Sequence, residues 1–284
     1  MRALIAGAGY VGAALALELL RRGHEVVVLR RSAATPPPGA RLFRADLAAP
    51  GALEALAPAD VVFYTAAADE RSDAGYRRAY VDGLARLIER LARMEHPPQR
   101  LLFTSSTAVY GQQQGEWVDE TSATEPVGFA GRRLLEAEAL VRAAPFAGTV
   151  LRLGGIYGPG RVSLIAEALR RSPSEPEAIP HYTNRIHRDD AAAALAHLAG
   201  LPEALDCLVG VDSEPAPQRE VLAWLAERLG AARSEAPRTP VPTSARRARG
   251  SKRCRNTRLL GTGFRFRYPS YREGYAALLA ECEA

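Results

Sequence analysis

A glycine-rich turn near the N-terminus constrains this chain more than any other feature. Gly7-Ala8-Gly9-Tyr10-Val11-Gly12 sits where an apolar run, Ala3–Ala6, gives way to a stretch with helical apolar spacing, Val11–Arg22. A G-x-G-x-x-G at a strand-to-helix junction has the pattern of a dinucleotide-binding βαβ unit. Gly7 permits the tight turn, Gly9 lacks a side chain that would block a pyrophosphate, and Gly12 lets the helix pack closely on the strand. The helix N-terminus adds unpaired N–H groups and a positive dipole end. Tyr10 and Val11, inside the motif, are expected cofactor contacts together with the three glycines. The competing reading is a glycine-rich turn with no ligand. A secretory signal starting at Met1-Arg2 is disfavoured, because its apolar region would not carry these glycines or run into a second strand pattern at Glu25–Leu29.

Beyond the turn, short apolar runs alternate with longer helical stretches, the order of βαβ units in a parallel sheet with helices on both faces. Strands are expected at Ala3–Ala6, Glu25–Leu29, Arg41–Phe43, Val61–Thr65, Leu101–Thr104 and Thr149–Leu153. Helices are expected at Val11–Arg22, Gly75–Met94 and Gly131–Ala143. Residues 1–153 thus read as one doubly wound, Rossmann-type α/β domain. Past that point Gly and Pro punctuate Gly154–Gly160 and Pro173–Pro180, a strand is expected at Asp206–Val211, and helices at Asp189–Leu198 and Gln218–Leu229. Residues 154–284 are expected to build mainly a smaller α/β substrate lobe, with an approximate boundary and some segments returning to the first domain. Pro237–Ser251 reads as an extended surface segment.

A NAD-preferring site usually places an acid at the end of the second strand, on the ribose 2′-hydroxyl. Here that point carries Arg30-Arg31-Ser32. Two guanidiniums and a hydroxyl would bind a 2′-phosphate that an acid would repel, so NADP is the preferred cofactor over NAD. The plain alternative is that an Arg-rich chain happens to put two arginines on an exposed turn.

Further segments, in order, carry a resemblance to a family. Asp46-Leu47 looks like the adenine-side Asp-hydrophobic pair of short-chain dehydrogenases, and Asp60 to Ala68 resembles their fourth strand, whose small residues, here with Thr65, Ala66 and Ala67, line the cofactor. Phe103 to Gly111, Leu151 to Gly160, Arg185-Ile186-His187-Arg188-Asp189-Asp190 and the tail from Asn256 to Gly274 are similar to later segments of NAD-dependent epimerases and dehydratases. The chain thus resembles an atypical extended short-chain dehydrogenase/reductase. The resemblance implies a Ser or Thr that holds a substrate oxygen, and a Tyr-x-x-x-Lys whose Tyr exchanges the proton. By its position relative to Tyr110, the Ser corresponds to Ser106. The Tyr and Lys are missing: Glu125 to Glu136 holds neither, and Phe129 is the aromatic there. If the chain is catalytic, a substitute must come from nearby groups, with Tyr110, Tyr157, His181 and His187 as candidates, and the catalytic set is read as Ser106 and Tyr110. For Tyr110 an ordinary packing role competes; for His187, loop anchoring before a helix N-cap at Asp189. Arg132 and Arg133 either replace the Lys or form a solvated helix face.

Charge and cysteine content bound the remainder. The net charge of +5 is mild and scattered, and Arg246–Arg258 has no interleaved aromatics, so no nucleic-acid partner is expected. In the resembled family that segment borders the substrate cleft, where arginines would meet an anionic small molecule; a solvated strap is the alternative. Cys207, Cys254 and Cys282 lie far apart, as in a reduced cytoplasmic protein without a metal site, and no apolar run reaches the roughly 18 residues of a membrane span. The resemblance also implies a homodimer paired through Gly75–Met94 and Gly131–Ala143. Two functions follow: an NAD(P)-dependent oxidoreductase or epimerase-like enzyme on a small polar, anionic substrate, or a non-catalytic NADP-binding redox sensor or regulator.

Overall fold

The computed structural model describes residues 1–170, 180–230 and 250–283. Its first half runs β1 (Arg2–Ala6), α1 (Tyr10–Arg21), β2 (Glu25–Arg30), β3 (Arg41–Arg44), β4 (Val61–Tyr64), α2 (Asp73–Tyr76), a π-helical turn (Arg77–Asp82), α3 (Gly83–Ala92) and β5 (Arg100–Ser106). Next come β6 (Glu116–Val118), α4 (Phe129–Ala143), β7 (Ala147–Leu153), β8 (Gly155–Tyr157), α5 (Ser163–Arg170), β9 (Tyr182–Thr183) and β10 (Arg185–His187). After these lie α6 (Arg188–Ala199), β11 (Cys207–Gly210), β12 (Ala216–Pro217), α7 (Gln218–Arg228) and β13 (Lys252–Cys254), then helices at Thr257–Gly261 and Tyr271–Glu283.

Seven strands form one sheet in the order β11-β7-β5-β4-β1-β2-β3, and the pairings from β7 through β3 are parallel. β1 lies between β2 and β4, so the chain leaves it to one side and returns on the other, which makes its C-terminal end a topological switch point. The fold is a doubly wound Rossmann-type sheet. Every residue of β4, Val61-Val62-Phe63-Tyr64, is buried, because helices cover both faces of a central parallel strand and demand an unbroken apolar run. No residue of β3, at the edge, is buried, and Arg41 and Arg44 there face water.

The chain forms two compact units. One comprises Met1–Val109, Thr124–Leu153 and Ala191–Leu208; the other comprises Tyr110–Ala123, Gly154–Asp190 and Val209–Ala284. Tyr110–Ala123 therefore groups with the later residues, and Ala191–Leu208 with the earlier ones. The second unit holds three small strand pairs, β8 with β10, β9 with β12 and β6 with β13, beside a core that includes Tyr157, Val221, Leu225, Tyr271 and Tyr275.

Helical spacing over Gly75–Met94 hides a break. Ser72 caps the start, its Oγ accepting the Gly75 N–H at 3.0 Å, and the π-helical turn then interrupts the helix. The fully buried Tyr64 donates its hydroxyl to the Ala79 carbonyl inside that turn. A side chain inserted into the helical ladder widens it, which a period-counting argument does not detect. The helix expected from Asp189 starts at Arg188, and His187 Nδ1 accepts the Asp189 amide at 3.2 Å. His187 thus does the capping, and Asp189 lies in the first turn. Pro173–Pro180 and Pro237–Ser251 fall mostly outside the described residues. Ser251, where the second is described, is buried.

Candidate dinucleotide site

The three glycines of the turn answer to different demands. Gly7 has φ +102°, and a Cβ there would lie 2.3 Å from the Ala66 backbone. A Cβ on Gly12 would lie 2.2 Å from the Gly7 carbonyl oxygen and 2.6 Å from Thr65 Oγ1. Thr65 donates its hydroxyl to that same carbonyl at 2.7 Å, so the first turn of α1, the end of β1 and the end of β4 are locked together. A Cβ built on Gly9, whose φ is −82° and ψ −149°, meets no atom within 4 Å. As the N-cap of α1 it leaves the helix without a side-chain cap, and the first turn carries no acid. The positive end of a helix with no side-chain cap, beside a residue with no Cβ, fits a diphosphate.

Around this cradle, Arg30 ends β2 half-buried, while Arg31 and Ser32 are exposed. Arg31 is already engaged, its Nη2 lying 2.6 and 2.5 Å from the two carboxylate oxygens of Asp69 in the segment after β4. Because β2 and β4 flank β1, this ion pair reaches across the end of β1. Asp46 accepts the Ala48 amide at 2.9 Å and Arg78 at 2.8 Å, and these contacts hold its carboxyl below the ordinary range. Leu47 and Ala66 are half-buried and Ala67 is exposed, both alanines at the end of β4.

Ser106 closes β5, and its Oγ accepts the Ala108 N–H at 3.2 Å, leaving the hydroxyl proton for donation elsewhere. Tyr110, in the second unit, is 2% exposed and donates its hydroxyl to the Asp119 carbonyl at 2.7 Å, a contact that suits a packing role.

In the segment without Tyr and Lys, Phe129 begins α4 and Arg133 follows four residues later. Arg133 is bound by Asp73, with Nε and Nη2 each 2.8 Å from a carboxylate oxygen, and by Glu136 at 2.8 Å. Tyr76 packs edge-on against Phe129 with ring centroids 5.4 Å apart, and Tyr80 packs against Tyr76 at 5.2 Å. Asp69, Asp73, Tyr76 and Tyr80 were not singled out from the sequence. The i, i+4 spacing of the two tyrosines was the available signal.

His187, Tyr157 and Tyr275 of the second unit pack together in a buried group. His187 is 2% exposed, packs at 5.3 Å from the Tyr157 ring, and burial lowers its pKa to about 4. Asp212 is 1% exposed, and burial raises its carboxyl to about 8 against a partial pull from Arg185. Burial also lowers the Arg185 guanidinium below its ordinary value. Lys252 Nζ donates to the Tyr110 carbonyl at 2.9 Å; Arg253 and Arg255 lie over Trp117 at 4.9 and 4.8 Å. In this segment Lys252–Cys254 is a strand paired with Glu116–Val118, Arg255 and Arg258 are exposed, and residues 246–249 lie outside the described residues. Among the described residues, no group of His, Cys, Asp and Glu could hold a metal, and no helix is long and apolar enough to cross a membrane.

The chain is similar to several known proteins. A Methylobacillus flagellatus protein ascribed to the NAD-dependent epimerase/dehydratases superposes with TM-score 0.81 and 38% identity, over 100% of this chain and 99% of its own. A 3-diazoavenalumate denitrifying reductase from a Streptomyces species is 33% identical over 96% of this chain and 99% of its own. A 2-alkyl-3-oxoalkanoate reductase from Stenotrophomonas maltophilia is 30% identical over 80% of this chain and 75% of its own. The family profile itself matches residues 3–203, which contain the glycine turn, the strand ends around it and Ser106, and the chain belongs to the NAD dependent epimerase/dehydratase family.

Proposed function

We propose that this protein is an NAD(P)-dependent oxidoreductase acting on a small polar substrate. Gly7, Gly9, Tyr10, Val11 and Gly12 hold the diphosphate, Asp46 and Leu47 flank the adenine, and Thr65, Ala66 and Ala67 line the nicotinamide half. Arg30, Arg31 and Ser32 take the 2′-phosphate of NADP, for which Arg31 exchanges its contact with Asp69. Bound there, the cofactor supplies or accepts a hydride. Ser106 donates its free hydroxyl proton to the substrate oxygen and orients it. Membership of the family and the two reductases among its relatives support this reading.

The observation that carries it is Gly9, a glycine with open space where a side chain would begin, placed at an uncapped helix start. Gly9→Val is expected to keep the fold, since the added side chain starts in open space, while weakening NADPH binding at least about tenfold, a loss of roughly 1.4 kcal/mol. Fluorescence titration of both proteins with NADPH and NADH, alongside circular dichroism, is the test. Equal affinity in the variant, or no binding by the wild type, refutes the reading. Tight binding with no hydride transfer across a panel of carbonyl compounds and alcohols favours instead a redox sensor, a role to which the loss of the Tyr and Lys lends weight.

A further inference from the structure

Reducing a carbonyl requires a proton as well as a hydride, and in the first unit the phenols can be taken one at a time. That unit contains Tyr10, Tyr64, Tyr76 and Tyr80. Tyr10 opens α1 in the glycine turn. Tyr64 is fully buried, its hydroxyl spent on the Ala79 carbonyl. Tyr80 has its oxygen bonded to the Ala68 backbone, and burial raises its pKa to about 12. Tyr76 is half-buried at the end of α2.

Two matched pairs of contacts hold Tyr76. Asp73 and Tyr76, three apart on α2, meet Arg133 and Phe129, four apart on α4, so that one helix turn presents a carboxylate and a phenol to a guanidinium and a phenyl ring. The start of α4 in turn lies against the segment that carries Ser106: a Cβ on Gly131 would come within 2.4 Å of the Ala108 carbonyl oxygen, two residues past Ser106. The Tyr76 ring, Phe129 and Ser106 thus share the end of β5.

We propose that Tyr76 is the catalytic acid of the reaction assigned above, with Phe129 and Arg133 as positioning residues that take over the place of a tyrosine and a lysine. The phenol O–H breaks as its proton passes to the substrate oxygen that receives the hydride at its carbon, and the phenolate left behind regains a proton from water. This inference rests on the proposed oxidoreductase reading.

The experiment reads phenol ionisation as well as turnover. The full-length protein is titrated towards alkaline pH, following tyrosinate absorbance, with and without saturating NADP+. A cationic nicotinamide beside the phenol favours the phenolate, so one tyrosine is expected to ionise at lower pH in the complex. That shift is expected to vanish in Tyr76→Phe, which keeps the ring contact with Phe129, and to persist in Tyr80→Phe. With NADPH and a panel of aromatic aldehydes and β-keto acids, Tyr76→Phe should lose roughly a hundredfold in kcat at unchanged KM. Tyr76→Phe combined with Phe129→Tyr should recover part of it. A shift retained in Tyr76→Phe, or the absence of any shift in a wild type that binds NADP+, overturns the assignment. Failure of the wild type to bind NADP+ or NADPH overturns the oxidoreductase reading instead.

Discussion

Gly9 and Asp69 stand at the same end of the sheet with opposite effects on a bound anion. Gly9 leaves room for it; Asp69 occupies the Arg31 guanidinium that would otherwise meet a 2′-phosphate. Both members of the Arg31–Asp69 pair are more than half exposed, at 51% and 65%, so the pair contributes at most about 1 kcal/mol and yields readily to a phosphate dianion. Asp69→Asn removes a competitor and a repelling charge together. The expected result is NADPH affinity raised several-fold and NADH affinity little changed, read from parallel fluorescence titrations. A variant that gains equally for both cofactors would show that Arg31 does not discriminate between them.

At the scale of elements, α4 is held by a charge buried in its middle. Glu138 is fully buried, yet it accepts the Ser105 hydroxyl at 2.7 Å, the Arg152 guanidinium at 3.0 and 2.7 Å, and Arg142 at 2.8 Å. Arg152 interrupts the apolar run of β7, where a buried cation is tolerated because this carboxylate faces it. The network ties α4 to β5 and β7, the strand next to it, and so fixes where Phe129 and Arg133 stand relative to Ser106. Arg152→Met leaves the buried Glu138 without its main partner, and the expected loss of stability is about 3 to 5 kcal/mol by denaturant unfolding. Arg152→Met paired with Glu138→Leu should recover most of that loss, because an apolar pair of similar volume is often no worse than a buried ion pair. Little of this was visible beforehand. An arginine in a strand and a glutamate on a helix read as ordinary solvated residues until the packing brings them face to face.

For the whole molecule, two buried groups set how stability follows pH. His187 has its pKa lowered to about 4 by burial, so the unfolded chain takes up a proton first as pH falls, and stability drops from about 6.5 down to about 4. Asp212, raised to about 8 by burial, behaves oppositely. The unfolded carboxyl ionises from its ordinary 3.8 upward while the folded one keeps its proton, so stability falls as pH rises through that window and levels off above about 8. The two slopes oppose each other below 6.5, and of the two only Asp212 acts above it. Thermal unfolding of the wild type is therefore expected to lose about 2 kcal/mol between pH 6.5 and 8. Asp212→Asn should abolish that decline, since an amide cannot ionise and still accepts the Glu214 N–H that Asp212 accepts at 3.2 Å. A decline that survives in Asp212→Asn would move the responsible group elsewhere.

The sequence by itself determined the alternation of strands and helices, the parallel sheet and the place of the glycine turn, because each depends on neighbours along the chain: apolar period, turn chemistry and a strand feeding a helix. Gly7 and Gly12 could be read for the same reason, whereas Ser106 came from the family resemblance. The break in the helix after Ser72, the hydroxyl of Tyr110 spent on Asp119, the strap from Asp69 to Arg31 and the meeting of Asp73 and Tyr76 with Arg133 and Phe129 were decided only by tertiary structure. Each joins residues that no local period relates, and their energies come from contacts and desolvation that exist only once the sheet has brought the partners together.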